Sequence, residues 1–247
     1  MRKRFVIATA KQGMSRAEFQ TYWSERHGPL VAGMPGYWDF TERYIQNHTL
    51  DTPAYGVPVS QFDGVMETWL REDHGHKERL FAETPAYMEH VRPDEANFID
   101  PTGCTVMEAD TNVIIDGPRE GYKMLSFMRR RPDISHEAFV EHYRTIHAGI
   151  VLASQQIMSY IPRYVQHYVI PGTQKQFGTT GEGQLPQFDA VKELWFRSLE
   201  DIETMFATED YKTKLNPDEP NFILLGGSTR FMLKEIEITP ESARKLA

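Results

Sequence analysis

The run Arg43-Tyr44-Ile45-Gln46 returns 120 residues later as Arg163-Tyr164-Val165-Gln166. Outward from it, residues 14–30 lie over 134–150 at the same offset without a gap, so Ser15, Phe19 and His27 meet Ser135, Phe139 and His147. Downstream, Phe62-Asp63-x-Val65-x-Glu67-x-Trp69 matches Phe188-Asp189-x-Val191-x-Glu193-x-Trp195, and Pro93-Asp94-Glu95-Ala96-Asn97-Phe98-Ile99 matches Pro217-Asp218-Glu219-Pro220-Asn221-Phe222-Ile223. Four blocks in one order constitute an internal repeat. It divides the chain into residues 1–115 and 116–247, and the extra residues of the second copy fall in a Gly-, Gln-, Thr- and Pro-rich connection within 171–187.

Each copy has the same succession of periodicities. Phe5-Val6-Ile7-Ala8 and Met124-Leu125-Ser126-Phe127 are apolar runs of strand length. Ser15-x-x-Glu18 is a capping box that opens a helix, with Ser135 as its counterpart. Phe139, Tyr143, Ile146 and Ile150 then recur at helical spacing as one buried stripe, matched in the first copy by Phe19, Trp23 and Leu30. Strands are expected around 40–49 and 62–70, a helix around 73–91 and a last strand near 103–109; the second copy repeats them at 159–170, 188–197, 198–214 and 227–237. The order β-α-β-β-α-β is the ferredoxin-like arrangement, a four-stranded antiparallel sheet with both helices on one face. The other face needs a partner, and two fused copies can cover each other.

Composition narrows the function classes. The 247 residues carry a formal net charge of −8, which opposes attraction to phosphate backbones or anionic lipid and makes nucleic acid and membrane unexpected partners. The short apolar start breaks off at Lys11, no stretch approaches membrane-spanning length, and a cytoplasmic setting is expected. A single cysteine, Cys104, excludes an internal disulfide and a thiolate metal cluster. No P-loop, dinucleotide glycine motif or Gly-x-Ser-x-Gly elbow occurs.

The run Phe19-x-x-Tyr22-Trp23-x-x-x-His27-Gly28-Pro29-Leu30, followed by Phe-Asp-x-Val-x-Glu-x-Trp, resembles EthD-type proteins of the dimeric α+β barrel superfamily. The resemblance covers nearly the whole chain, twice. It implies an α+β fold in which the tandem repeats build one barrel intramolecularly, with a pocket between the two sheets. It also implies chemistry without an organic cofactor, since relatives include polyketide dehydratases and cyclases, lactone isomerases and proteins of aromatic-compound breakdown. The second copy departs from the pattern at His142, where the first has Tyr22, and at His147-Ala148-Gly149-Ile150.

Several residues suit acid–base chemistry. His27 and His147 lie at the edge of the helical stripe, just before an expected helix end whose carbonyls favour the protonated ring; the alternative is a structural cap. Glu67 and Glu193 share a strand face with Trp69 and Trp195, where burial would raise a carboxyl pKa, whereas a salt bridge to Arg43 or Arg163 would lower it. If Ile45 faces the helices, Tyr44, Gln46 and His48 face the barrel interior, as do Tyr164, Gln166 and Tyr168, with His167 on the other face unless a bulge intervenes. If Ser126 and Met128 face inward, so does Arg130, whose guanidinium would recognise a carboxylate. Tyr22 joins these as a substrate contact. The Pro-Asp-Glu-x-Asn-Phe-Ile blocks read as structural loops. His74-x-His76 is a weak metal pair without a third ligand, so no metal is expected.

The expected function is a cofactor-independent isomerase acting through an enol on a small carboxylated ring-cleavage product of bacterial aromatic catabolism. The alternatives are a dehydratase or cyclase of a polyketide-like substrate and a non-catalytic carrier of a hydrophobic ligand. A small molecule, anionic or derived from an aromatic compound, is the expected partner, and the two-repeat chain could itself oligomerise.

Overall fold

The computed structural model describes residues 1–51, 60–73, 75–177 and 187–246; His74 lies outside them, as does most of the connection within 171–187. Each repeat contributes four long strands: β1 (Arg2–Ala8), β2 (Thr41–Thr49), β3 (Gly64–Leu70) and β4 (Thr105–Ile115), then β5 (Tyr122–Met128), β6 (Arg163–Val169), β8 (Ala190–Phe196) and β9 (Thr229–Ile238). A short β7 (Lys175–Gln176) adds to the start of β4. The hydrogen-bonded order is β1-β3-β2-β9-β5-β8-β6-β4, and β4 returns to β1, so eight antiparallel strands close on themselves. The two junctions between repeats are β2 with β9 and β4 with β6. One chain thus forms a dimeric α+β barrel from tandem ferredoxin-like repeats, as the repeat pattern requires.

Closure removes sheet edges and gives each strand two buried faces. Phe5, Ile7, Val65, Met107, Leu125, Phe127, Val191, Phe231 and Leu233 pack together inside the barrel. The opposite parity faces the helices: Met124, Met128, Tyr164 and Leu194 join helical Phe139, Tyr143 and Val151 in one cluster, and Tyr44 joins Val31 and Val91 in its first-repeat counterpart.

The first helix of each repeat begins as the capping pattern anticipates. The Ser15 backbone donates to the Glu18 carboxylate at 2.8 Å and its hydroxyl accepts from Glu18 N, while Ser135 accepts from Ala138 N at 3.1 Å. Neither helix stops at the histidine. Arg16–Tyr22 passes through a π-helical turn, Trp23–His27, into Gly28–Ala32, and His136–Glu141 passes through His142–His147 into Ala148–Ala153. A π turn inserts one residue into the helical count. It rotates Ile146 out to 51% exposure and turns His147 and Val151 in, to 1% and 3%. Gln46 and Gln166 secure the two π turns by donating to the Trp23 and Tyr143 carbonyls, each at 2.9 Å.

The second helical region differs between copies. The second repeat has Leu199–Ala207 and then Tyr211–Leu215 running into Asn216–Phe222; among the described residues of the first, Tyr87–Val91 likewise runs into Arg92–Glu95, but the counterpart of Leu199–Ala207 is reduced to the turn Phe81–Glu83. The second Pro-Asp-Glu block is therefore helical through Phe222 and not a loop, whereas the first is helical only to Glu95 and then turns.

Candidate functional site

Lysine and glutamate fill one end of the barrel interior, where a pocket was expected. Lys3 donates to Glu67 at 3.0 Å and to Glu193 at 3.3 Å; Lys123 contacts Glu67 and donates to Glu235 at 2.9 Å, and Arg119 bonds Glu235 at 2.8 Å. Burial opposes the charge on Glu67 and Glu193, but the two lysines outweigh it and hold both carboxyls well below the usual range. They are ionised counter-ions and not the raised acids that burial alone would produce. Arg43 is turned away to Glu237 at 2.7 Å, and Arg163 stands 3.7 Å from Glu193. Trp69 stacks under Lys3, Arg43 and Arg119, while Trp195 donates to Glu193 at 2.8 Å. His167 belongs here too, bonded to Glu193 at 3.1 Å and to Thr111 at 3.0 Å; burial first, then Lys3, lowers it to about 4, so it is neutral.

The facing of β2 and β6 is the reverse of the expectation. Tyr44, Gln46 and His48 point to the helices: Tyr44 accepts from Trp23 Nε1 at 3.1 Å, and His48 stacks on Trp23. Tyr164 and Gln166 mirror them beneath Tyr143. On β5, Ser126 and Met128 also face outward. Arg130 lies beyond that strand, its guanidinium taken up by Asp189 at 3.2 Å and the carbonyls of Arg131 and Ile134 and not turned into the barrel.

On the helix side, the two repeats build the same pair of groups. His27 Nδ1 lies 2.8 Å from Asp94 Oδ2, and Tyr22 donates to Asp94 Oδ1 at 2.7 Å. His147 Nδ1 lies 2.9 Å from Asp218 Oδ2, and His142 takes the place of Tyr22 at 2.8 Å. Burial disfavours the charge on both aspartates, but the hydrogen bonds from their histidines and from Tyr22 or His142 prevail and hold them below their ordinary value. An ionised aspartate can only accept, which fixes a proton on Nδ1 and leaves Nε2 as the nitrogen placed to exchange a second proton. Sequence reading missed the aspartates. The available signal was their recurrence at the same place in both Pro-Asp-Glu blocks.

The cavities beside these histidines differ. In the first repeat a cavity of about 100 Å³ between helices and sheet is lined by His27, Tyr44, Tyr37, Arg4, Thr68, Glu95 and apolar side chains. Its neighbour, a cleft of about 480 Å³ bordered by Lys11 and Arg92, shares Glu95 and Phe177 with it. Burial pushes the Glu95 carboxyl up, against the pull of His27, Tyr87 and Arg92. Arg4 leans on Glu108 at 3.5 Å, and its buried Nε–H makes no hydrogen bond. In the second repeat the matching space is about 20 Å³, filled from β8 and β9 by Lys192 and Arg230.

Strand register explains the contrast. Met66, Val6 and Val106 form one row across β3, β1 and β4, and Thr68, Arg4 and Glu108 form the next row along the same face. The equivalent rows in the second repeat are Lys192, Ser126, Arg230 and then Leu194, Met124, Met232. The polar row has exchanged places with the apolar one. Among the described residues no group of three His, Cys, Asp or Glu side chains could hold a metal ion, and no helix is long and apolar enough to cross a membrane.

Comparison with solved structures returns the same fold at low identity. A putative monooxygenase from Lactobacillus acidophilus NCFM is 10% identical, with 97% of this chain and 96% of that one covered and a TM-score of 0.54. A putative monooxygenase from Fusobacterium nucleatum subsp. nucleatum ATCC 25586 is 7% identical, covering 96% and 93% with a TM-score of 0.54. An anthrone oxidase-like protein is 10% identical, covering 96% and 92% with a TM-score of 0.59. No curated protein matches the sequence. The EthD domain model matches twice, over residues 11–102 and 131–225, each match enclosing one His–Asp pair, and the chain belongs to the EthD domain family with one copy in each half of its barrel.

Proposed function

We propose that the first repeat is an acid–base catalyst working without an organic cofactor, which shifts or rotates a double bond through an enol in a small carboxylated ring-cleavage product of bacterial aromatic-compound catabolism. The observation that carries this reading is His27, held by ionised Asp94 on the wall of a cavity that also presents Arg4 and Glu95. His27 Nε2 takes the proton from carbon beside the carbonyl, and Asp94 stabilises the imidazolium that forms. The unspent Arg4 Nε–H meets the oxygen that gains charge. The protonated His27 returns the proton at the far end of the enol, while Glu95, whose carboxyl burial pushes up, is held on the same wall by Tyr87 at 2.8 Å and Arg92 at 3.1 Å. Lys11 and Arg92 in the adjoining cleft favour the approach of an anion.

Arg4 also favours the carboxylated substrate over a neutral polyketide, the role that sequence reading gave to Arg130. The test is turnover and solvent-deuterium exchange at the α-carbon with unsaturated lactone acids, read by NMR. His27→Ala is expected to lose about 10²–10⁴-fold, and His147→Ala to keep its activity. Full activity in His27→Ala overturns the reading; binding without exchange would make the barrel a carrier, and turnover that consumes dioxygen would make the chemistry an oxidation.

A further inference from the structure

The second repeat has a feature that the catalytic reading leaves unused. Lys192, Ser126 and Arg230 stand abreast on β8, β5 and β9, in register and on the same sheet face. The row borders a cleft of about 540 Å³ whose other walls include Met128, Ile223 and Tyr211, a volume ordinary for a small-molecule site. Ser126 is 2% exposed, and its hydroxyl has no hydrogen-bond partner. Both cations reach the same carboxylate, Glu219, at long range: Lys192 Nζ at 3.3 Å and Arg230 at 3.4 Å. Asp218, the next carboxylate along, is taken by His142 and His147. One carboxylate shared by two cations leaves spare donors beside a buried, unsatisfied hydroxyl: Arg230 keeps 31% of its side chain exposed toward the cleft, burial works against the charge of Lys192, and a further anion would relieve that cost.

We propose that this cleft is a second, non-catalytic site that binds a monocarboxylate with an apolar body, the carboxylate lying on the Lys192–Ser126–Arg230 row and the body against Met128 and Ile223. A single carboxylate suits the spare donors of the row, whereas a dianion would meet Glu219. Ser126 donates its hydroxyl hydrogen to one carboxylate oxygen, and the cations take the rest. The first repeat lacks this site because Met66, Val6 and Val106 occupy the same three positions. The assignment is independent of the catalytic role given to His27.

The experiment is calorimetric titration of the full chain with benzoate, benzamide and inorganic phosphate, repeated in an Arg4→Met host so that the first cavity offers no guanidinium. Benzoate is expected to bind in both hosts, with benzamide and phosphate at least about tenfold weaker. Arg230→Val and Ser126→Val, which restore the residues of the first repeat, are each expected to weaken benzoate about tenfold while the thermal unfolding of the free protein stays cooperative. His27→Ala should leave this binding unchanged even where turnover is lost. Absence of benzoate binding in the Arg4→Met host, equal affinity for benzamide, preference for phosphate, or indifference to both valine variants overturns the assignment. The two substitutions are separate tests, so misfolding of one leaves the other decisive.

Discussion

Replacing Glu67 by Gln removes one anion from a lattice in which Lys3, Lys123 and Arg119 face Glu67, Glu193 and Glu235. The amide keeps the volume and can still accept from Asn47, which bonds Glu67 at 3.0 Å. What is lost is the counter-charge of two ammonium groups whose residues are 2% and 0% exposed. Breaking a buried pair by deleting one partner costs about 3–5 kcal/mol, set against the roughly 5–15 kcal/mol that separates folded from unfolded states. Glu67→Gln should therefore lower the urea midpoint steeply with an unchanged slope. Lys123→Met should do the same, and the double variant should cost less than the sum of the two because it leaves neither partner stranded. A loss below about 1 kcal/mol, the range of an exposed pair, would show that water reaches the lattice and would refute the desolvated interior.

Other expectations concern neighbouring features. At Gly64 an added Cβ would lie 2.5 Å from the Trp23 ring, so Gly64→Ala should cost about 1–3 kcal/mol. Trp23→Tyr should recover part of that loss, because the second repeat pairs Ala190 with Tyr143 at the equivalent places; additive losses in a double-mutant cycle would contradict the packing. Burial pushes the Cys104 thiol up to about 12, so a disulfide reagent at pH 8 should leave it untouched in the folded chain and modify it in urea, and rapid native labelling would count against this. Burial lowers His48 and His167 to about 4. Between that value and the ordinary ~6.5 only the unfolded chain takes up these protons, so stability is complete above about pH 6.5 and declines as pH falls toward 4. Urea midpoints should be lower at pH 5 than at pH 7.5, and the opposite order would reverse the assignment.

The barrel was legible because its evidence was redundant: the same blocks at nearly the same offsets leave one topology, and strand register confirms their equivalence residue by residue. Facing was illegible for a physical reason. Both sides of β2 are buried, Tyr44 and Gln46 on one and Ile45 and Asn47 on the other, so alternation of polarity carries no sign. The inward row of Lys3 and Lys123 further inverted the usual rule that charge points outward. His27 was legible as a residue at the edge of the helical stripe, but the helix does not end there and its ring meets Asp94 and not the terminal carbonyls. Its position depends on a π turn that regular helical spacing does not foresee, and its carboxylate lies 67 residues further on. Tyr44 was placed in a cavity by an argument that assigned it to the wrong side of the sheet.

Joining both halves in one chain has a consequence for how such a barrel can change. Two identical subunits related by a twofold axis must accept every substitution twice, so a mutation that sharpens one chamber alters its twin equally. Here β4 leads on to β5 within the same polypeptide, and Phe177, contributed by the later half, walls the chamber of the earlier one. Each chamber can therefore specialise while its sister drifts to other uses, and diluting the protein cannot take the pair apart.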